Sequence, residues 1–133
     1  GVGVIQNDVK GFKYVQDAAN KSHPKAQYTL GAIYYLGAGV TIDFNKAFNW
    51  IRLSADQGYL DAQHNLALMY EAGEGVSQDF KKAYEYYLIA ARSGNLDSQI
   101  KVAQMYQEAI GTEKNLEKSA YWLKKIEESK LKN

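Results

Sequence analysis

Apolar residues return along this chain at helical spacing, and the pattern itself returns. Ala26, Leu30, Ile33 and Tyr34 fall at i, i+4, i+7 and i+8, which is one face of a helix. The same steps fall at Ala62, Leu66, Met69 and Tyr70 and, with one polar exchange, at Ser98, Val102, Met105 and Tyr106. They predict a helix A over 24–36, 60–72 and 96–108. A second stripe predicts a helix B after Asp43, buried through Phe44, Ala47, Trp50, Ile51, Ser54 and Ala55. Its counterparts are Phe80, Ala83, Tyr86, Tyr87, Ala90 and Ala91 after Asp79, then Leu116, Ser119, Trp122, Leu123 and Ile126 after Asn115. Asp and Asn are natural N-caps, and Pro24 suits a first helical turn, where its missing N–H is not needed. Gly37, Gly73, Gly39, Gly75 and Gly111 are expected to end helix A, and Gly58 and Gly94 helix B, since glycine enters the left-handed region without strain. Small residues at Gly31, Ala67 and Ala103, facing Ala47, Ala83 and Ser119, allow paired helices to approach closely.

All of this recurs every 36 residues. Aligned without gaps, 26–61 and 62–97 share 15 of 36 residues, where ordinary frequencies give roughly two or three. Residues 98–133 form a weaker third copy. Gly1-Val2-Gly3-Val4 lies 36 residues before Gly37-Ala38-Gly39-Val40, and Tyr14 lies 36 before Trp50. Residues 1–25 therefore read as a partial repeat entered at its central turn, and the chain is expected to be a fragment of a longer protein. One hairpin cannot bury two apolar faces, whereas stacked hairpins can. The expected fold class is all-α: a right-handed α/α superhelix, or solenoid, of antiparallel helix hairpins forming one domain over 1–133. The last unit reads as a C-terminal cap. Ala109 replaces the turn glycine, Glu127 stands where Ala55 and Ala91 stand, and Lys130 where the helix-ending glycines stand. At the other end an unpartnered flank of Phe12, Tyr14 and Val15 is expected to drive self-association.

Composition narrows the function classes. Sixteen basic and 15 acidic residues leave a net charge of +1, too little field to draw nucleic acid or an anionic membrane. There is no cysteine, which excludes disulfides, thiolate chemistry and cysteine-ligated metals. No apolar run approaches the roughly 18 residues a membrane helix needs, so no membrane insertion is expected. The chain is 46% apolar, enough for a core.

The repeated residues resemble the Sel-1-like repeat family, a relative of the tetratricopeptide repeats. Ala26, Leu30, Gly31, Tyr34, Gly37, Gly39, Val40, Asp43, Lys46, Ala47, Trp50, Ala55 and Gly58 match its pattern in the first full copy. Ala62, Leu66, Tyr70, Gly73, Gly75, Val76, Asp79, Lys82, Ala83, Ala90, Ala91 and Gly94 match in the second. The resemblance covers the whole chain. It implies a superhelix whose concave surface, lined by the A helices, holds a protein or peptide partner. It also implies a non-catalytic scaffold or adaptor of the kind found in bacterial virulence and envelope proteins and in eukaryotic quality control. A periplasmic or exported bacterial location is the compartment it points to, without fixing it.

Residues opposite the buried stripe of helix A are the candidate groove: Tyr28, Thr29, Ala32 and Tyr35, then His64, Asn65, Leu68 and Glu71, then Ile100, Lys101, Gln104 and Gln107. They differ between copies more than the buried set does. Amides there suit a peptide backbone, and aromatic rings add apolar area at low entropic cost. The bland alternative is a solvated face on a structural spacer. Eleven tyrosines invite comparison with a nucleic-acid stacking platform, but Tyr34, Tyr70, Tyr106, Tyr86 and Tyr87 occupy core positions and no basic stripe accompanies them. His23 and His64 are far apart, with no acidic cluster at ligand spacing, so neither a metal nor another cofactor is expected. An enzymatic alternative, envelope chemistry on β-lactams or peptidoglycan, rests on Ser22-His23-Pro24-Lys25, which spells S-x-x-K. The S-D-N and K-T-G companions of that motif are missing.

Overall fold

A computed structural model describes residues 2–132, with side chains from Lys10 onward. Seven helices follow one another: α1 (Val2–Asn20), α2 (Pro24–Leu36), α3 (Phe44–Asp56), α4 (Leu60–Ala72), α5 (Phe80–Arg92), α6 (Leu96–Glu108) and α7 (Leu116–Leu131). Among the described residues there is no strand. Helices α2, α4 and α6 have the predicted bounds of helix A, and each helix packs chiefly on its sequence neighbours. The result is an all-α solenoid of helix hairpins.

Sequence explains the punctuation. Asp43, Asp79 and Asn115 cap α3, α5 and α7, each carboxylate or amide oxygen accepting the N–H three residues on, at 3.0, 3.0 and 2.9 Å. The same three residues donate their own N–H groups to Tyr34, Tyr70 and Tyr106 carbonyls, which folds each A–B turn back on its helix. Gly37 and Gly73 end their helices at φ 70° and 72°, and Ala109 takes the same left-handed position at φ 57°. Gly75 and Gly111 answer a second demand. A Cβ on either would meet the carbonyl oxygen of Phe44 or Phe80 at 2.1 Å, so the turn of one repeat lies on the helix start of the repeat before.

The core runs along the stack. Leu30, Leu66 and Val102 are fully buried, as are Ala47, Ala83 and Ala67. Gly31 admits the Ile51 side chain, which would lie 2.5 Å from an added Cβ. Between repeats an aromatic pair recurs in an edge-to-face arrangement. Phe12 meets Tyr34 at 6.2 Å, Phe48 meets Tyr70 at 5.4 Å, and Tyr84 meets Tyr106 at 5.5 Å. Such pairs contribute about 0.5–1.5 kcal/mol beyond their burial.

Four expectations are corrected. The turn expected over Gly1 to Val4 is helical from Val2, while Gly1 itself, like Asn133 in the last copy, lies outside the described residues. Phe80 and Leu116, expected inside, are 42% and 61% exposed, because they are the first residues of their helices, where the side chain stands at the edge of the packed face. Phe48 is buried instead. Leu123 is half exposed because no helix follows α7 in this sequence to cover it. Of the N-terminal flank, Phe12 is already engaged by Tyr34 and only Tyr14 stands well out in solvent.

Candidate functional site

The candidate groove residues of α2 and α4 come together around one pocket of about 240 Å³. Tyr28, Ala32 and Tyr35 line it from α2, and Asn65 and Leu68 from α4. Ile51 and Met69, assigned to the core by their spacing, reach its floor, and Leu36 stands at its rim, 70% exposed. Leu36 escaped the sequence argument because it is the last residue of its helix, where the periodicity gives no direction.

The polar groups at this pocket are held by one another. Asn65 Nδ2 donates to the Tyr28 hydroxyl at 2.8 Å, tying α2 to α4. The Tyr28 ring also packs on Tyr59, with centroids 5.4 Å apart. Tyr35 donates its hydroxyl to Glu74 Oε1 at 2.8 Å and packs on Phe44. That bond, more than burial or the Glu74 charge, raises the Tyr35 pKa, so the phenol stays a donor near neutrality. Glu74 belongs to the next A–B turn and was not singled out from sequence. Its only mark there is its place between two turn glycines.

The groove residues of α4 and α6 form a charged cluster. Lys101 Nζ donates to Glu71 Oε1 at 2.8 Å, and the ammonium lies 5.9 Å from the Tyr87 ring centroid. His64 Nδ1 and Ser98 Oγ are hydrogen-bonded at 2.9 Å, and the imidazole lies against Tyr87 at 5.9 Å. Burial lowers the His64 pKa, with Lys101 acting the same way and the Asp97 and Asp61 carboxylates opposing. Tyr87 is fully buried beneath both groups, and burial, followed by the Glu71 carboxylate, pushes its hydroxyl above the ordinary range. Spacing alone made Tyr87 a core residue. It is that, and also the floor on which His64 and Lys101 rest.

The remaining candidates lie apart. Thr29 turns its hydroxyl to the Lys25 carbonyl of its own helix at 2.8 Å. Gln104 and Gln107 are exposed on α6, and Ile100 is 48% exposed. Ser22 and Lys25, the ends of the S-x-x-K spelling, are both exposed, with Ser22 at φ 68° in the turn between α1 and α2. Among the described residues, no group of three or more His, Asp or Glu is placed to hold a metal ion. No described helix is long and apolar enough to cross a membrane.

Stacked hairpins, a recurring inter-repeat aromatic pair and a varied A-helix face define an α-solenoid repeat protein. More narrowly, the chain belongs to the Sel1 repeat family. The family model matches residues 1–23, 24–59, 60–95 and 96–128, and the last three matches open on the first residues of α2, α4 and α6. Proteins of this family are in general protein-interaction scaffolds and non-catalytic. Among solved structures the chain is similar to a protective antigen of uropathogenic Escherichia coli displaying an SLR fold. The two are 36% identical with a TM-score of 0.85, over 89% of this chain and 25% of that one. It is similar to a Sel1 repeat protein from Oxalobacter formigenes at 28% identity and a TM-score of 0.82, over 90% of both chains. Helicobacter pylori cysteine rich protein B shares the fold at 20% identity, with a TM-score of 0.68. The chain thus spans a quarter of the first of these relatives and nearly all of the second. Among curated proteins none matches significantly.

Proposed function

We propose that this chain binds a protein or peptide on the concave face lined by α2, α4 and α6, and that it does so without catalysis. One observation carries the reading. Side chains of two different repeats that lie off the buried stripe of helix A meet at a single pocket with an apolar floor. Its polar groups are already tied to one another by hydrogen bonds. Groups held in place before binding lose little entropy when a partner docks. A peptide side chain fits a pocket of this size, and the Glu71–Lys101 pair one repeat further on offers both charges to the peptide that continues past it.

The test is affinity capture from a lysate of the source organism. The baits are the unaltered chain, a Leu68→Glu variant and the triple variant Tyr35→Ala, Asn65→Ala, Glu71→Ala. Leu68 is partly exposed, so a carboxylate there blocks the pocket and leaves the hydrogen bonds around it intact. A partner held by the unaltered chain and lost by Leu68→Glu, at an unchanged unfolding temperature, is the expected result. Equal capture by all three baits would remove the pocket from the binding surface. Self-association through the flank around Tyr14 is a separate proposal. Sedimentation showing a monomer at high concentration would reject it.

A further inference from the structure

A second pocket, of about 380 Å³, opens where α5, α6 and α7 meet. Its walls carry three cations, Arg92, Lys118 and Lys125, and three aromatic rings, Tyr106, Tyr121 and Trp122. No carboxylate is among the residues that line it. Among the described residues, ion pairs join Arg52 to Asp56, Lys101 to Glu71 and Lys130 to Glu127, and none of them takes up a cation of this pocket. Instead Lys118 rides 5.6 Å above the Tyr106 centroid, and Lys125 lies 5.5 and 5.8 Å from those of Tyr121 and Trp122. A ring face holds an ammonium in place without cancelling its charge.

The repeat supplies a control. Thirty-six residues earlier, Arg92, Tyr121 and Lys125 are replaced by Asp56, Glu85 and Ile89, Lys118 is matched by Lys82, and Arg52 stands in the place of Leu88. There two acids balance two bases, and Asp56 is paired with Arg52 at 3.7 Å. The architecture therefore does not demand the positive charge. Seventy-two residues earlier the same places hold Asn20, Lys46, Asn49 and Leu53, so in a chain of net charge +1 three cations without an ion-pair partner are gathered at one of three equivalent places.

We propose that the α5–α7 pocket binds the phosphoryl group of a small phosphorylated ligand. A phosphoryl group carries nearly two negative charges and three strong acceptor oxygens. Three converging cations answer it better than they answer a lone carboxylate. The guanidinium supplies a planar fork and the lysines mobile point charges. Tyr121 and Trp122 then offer an apolar wall to the organic part of the ligand. This proposal does not rest on the peptide groove proposed for α2, α4 and α6.

The probe is inorganic pyrophosphate, titrated calorimetrically into the 133-residue chain at low ionic strength, where surface charges are least screened. Saturable binding is expected, weakened about tenfold or more by the double variant Lys118→Gln, Lys125→Gln and separately by Arg92→Gln. Lys13→Gln with Lys21→Gln removes the same charge from an exposed site elsewhere and is expected to change the affinity less than about twofold. All five side chains are exposed, so unfolding temperatures close to that of the unaltered chain are expected throughout and verify folding. A second arm uses phosphatidylcholine vesicles carrying phosphatidic acid. Co-sedimentation lost in the Lys118, Lys125 variant assigns the phosphoryl group to a lipid headgroup. Pyrophosphate binding without co-sedimentation assigns it to a soluble ligand, and either result upholds the site. Absence of saturation, equal weakening by both lysine pairs, or tighter binding of acetate than of pyrophosphate would overturn it.

Discussion

Tyr87 and Leu123 stand at the same place in successive hairpins, one on α5 and one on α7. Tyr87 is fully buried and Leu123 is 51% exposed. The difference lies in what comes next. Helix α6 closes over α5, whereas no helix in this sequence closes over α7. The same contrast repeats at other positions. Phe12, Phe48 and Tyr84 each meet a tyrosine of the following repeat, and the fourth member of that series is Ala120. Tyr28 and His64 each bond to the next A helix, while Ile100, third in that series, faces solvent. Helix α7 also runs to 16 residues where α3 and α5 stop at 13, since Lys130 has replaced the helix-ending glycine. A repeat here is thus two sets of residues. One set folds the hairpin and is present in every copy. The other holds the next copy, and its members differ in the last copy described.

The largest expected effect compares the two ends of that contrast directly. Tyr87→Ala empties a fully covered site and is expected to cost about 3–5 kcal/mol. Leu123→Ala, on the same register but open to water, is expected to cost less than about 1 kcal/mol. Urea unfolding of both variants measures the gap, and equal losses would mean that α7 is covered in solution. A smaller effect separates the two roles of the turn glycines. Gly75→Ala drives a methyl group into the Phe44 backbone, whereas Gly39→Ala meets no described atom within 4 Å. Both sit at positive φ, 74° and 79°, so both incur left-handed strain of about 1–2 kcal/mol. Only Gly75→Ala adds an overpacking cost, about 1–3 kcal/mol. Indistinguishable unfolding midpoints would show that the repeats are free to separate at this turn.

How much of this was legible beforehand follows the same division. Hairpin-forming residues announce themselves by local chemistry. Asp43, Asp79 and Asn115 mark helix starts, and Gly37 and Gly73 mark helix ends. The bounds of all three A helices could therefore be read from spacing and caps. Contacts between repeats were harder to read. Phe48 and Tyr84 recur at the repeat period, yet they fall just off the stripe that packs within the hairpin, so helical periodicity passed over them. Their burial depends on a partner 22 residues away. Phe80 and Leu116 failed in the opposite sense, since they continue the apolar stripe to the first residue of the helix, at the edge of the packed face. At the candidate groove, spacing selected Tyr28, Ala32, Tyr35, Asn65 and Leu68, which line one pocket. It had no means of showing that Tyr35 would bond to Glu74 or that His64 and Lys101 would share the Tyr87 ring. Those pairings depend on the offset between repeats, which no single helix encodes.

The smallest expected effect tests whether His64 belongs to the set that holds the next copy. Its ring is half-buried between Ser98 of the following A helix and Tyr87 beneath it. Burial and Lys101 disfavour the charged form, and together they outweigh the attraction of Asp97 and Asp61, so the folded-state pKa lies below the ordinary value near 6.5. As pH falls, the unfolded chain takes up this proton before the folded chain does. The contribution of His64 to stability is therefore complete above the unfolded pKa and lost as pH drops through the folded one. The urea midpoint of the unaltered chain is expected to fall between pH 7 and pH 5.5. His64→Gln, which keeps a group able to bond with Ser98, is expected to flatten that fall. Ile100 gives the control on the other side of the comparison. Ile100→His places the same ring where no further repeat buries it in this sequence, and it is expected to add no fall of its own. If Ile100→His lowers the midpoint at acid pH as much as His64 does, the pH response comes from general charge, and the burial of one repeat by the next is not its cause.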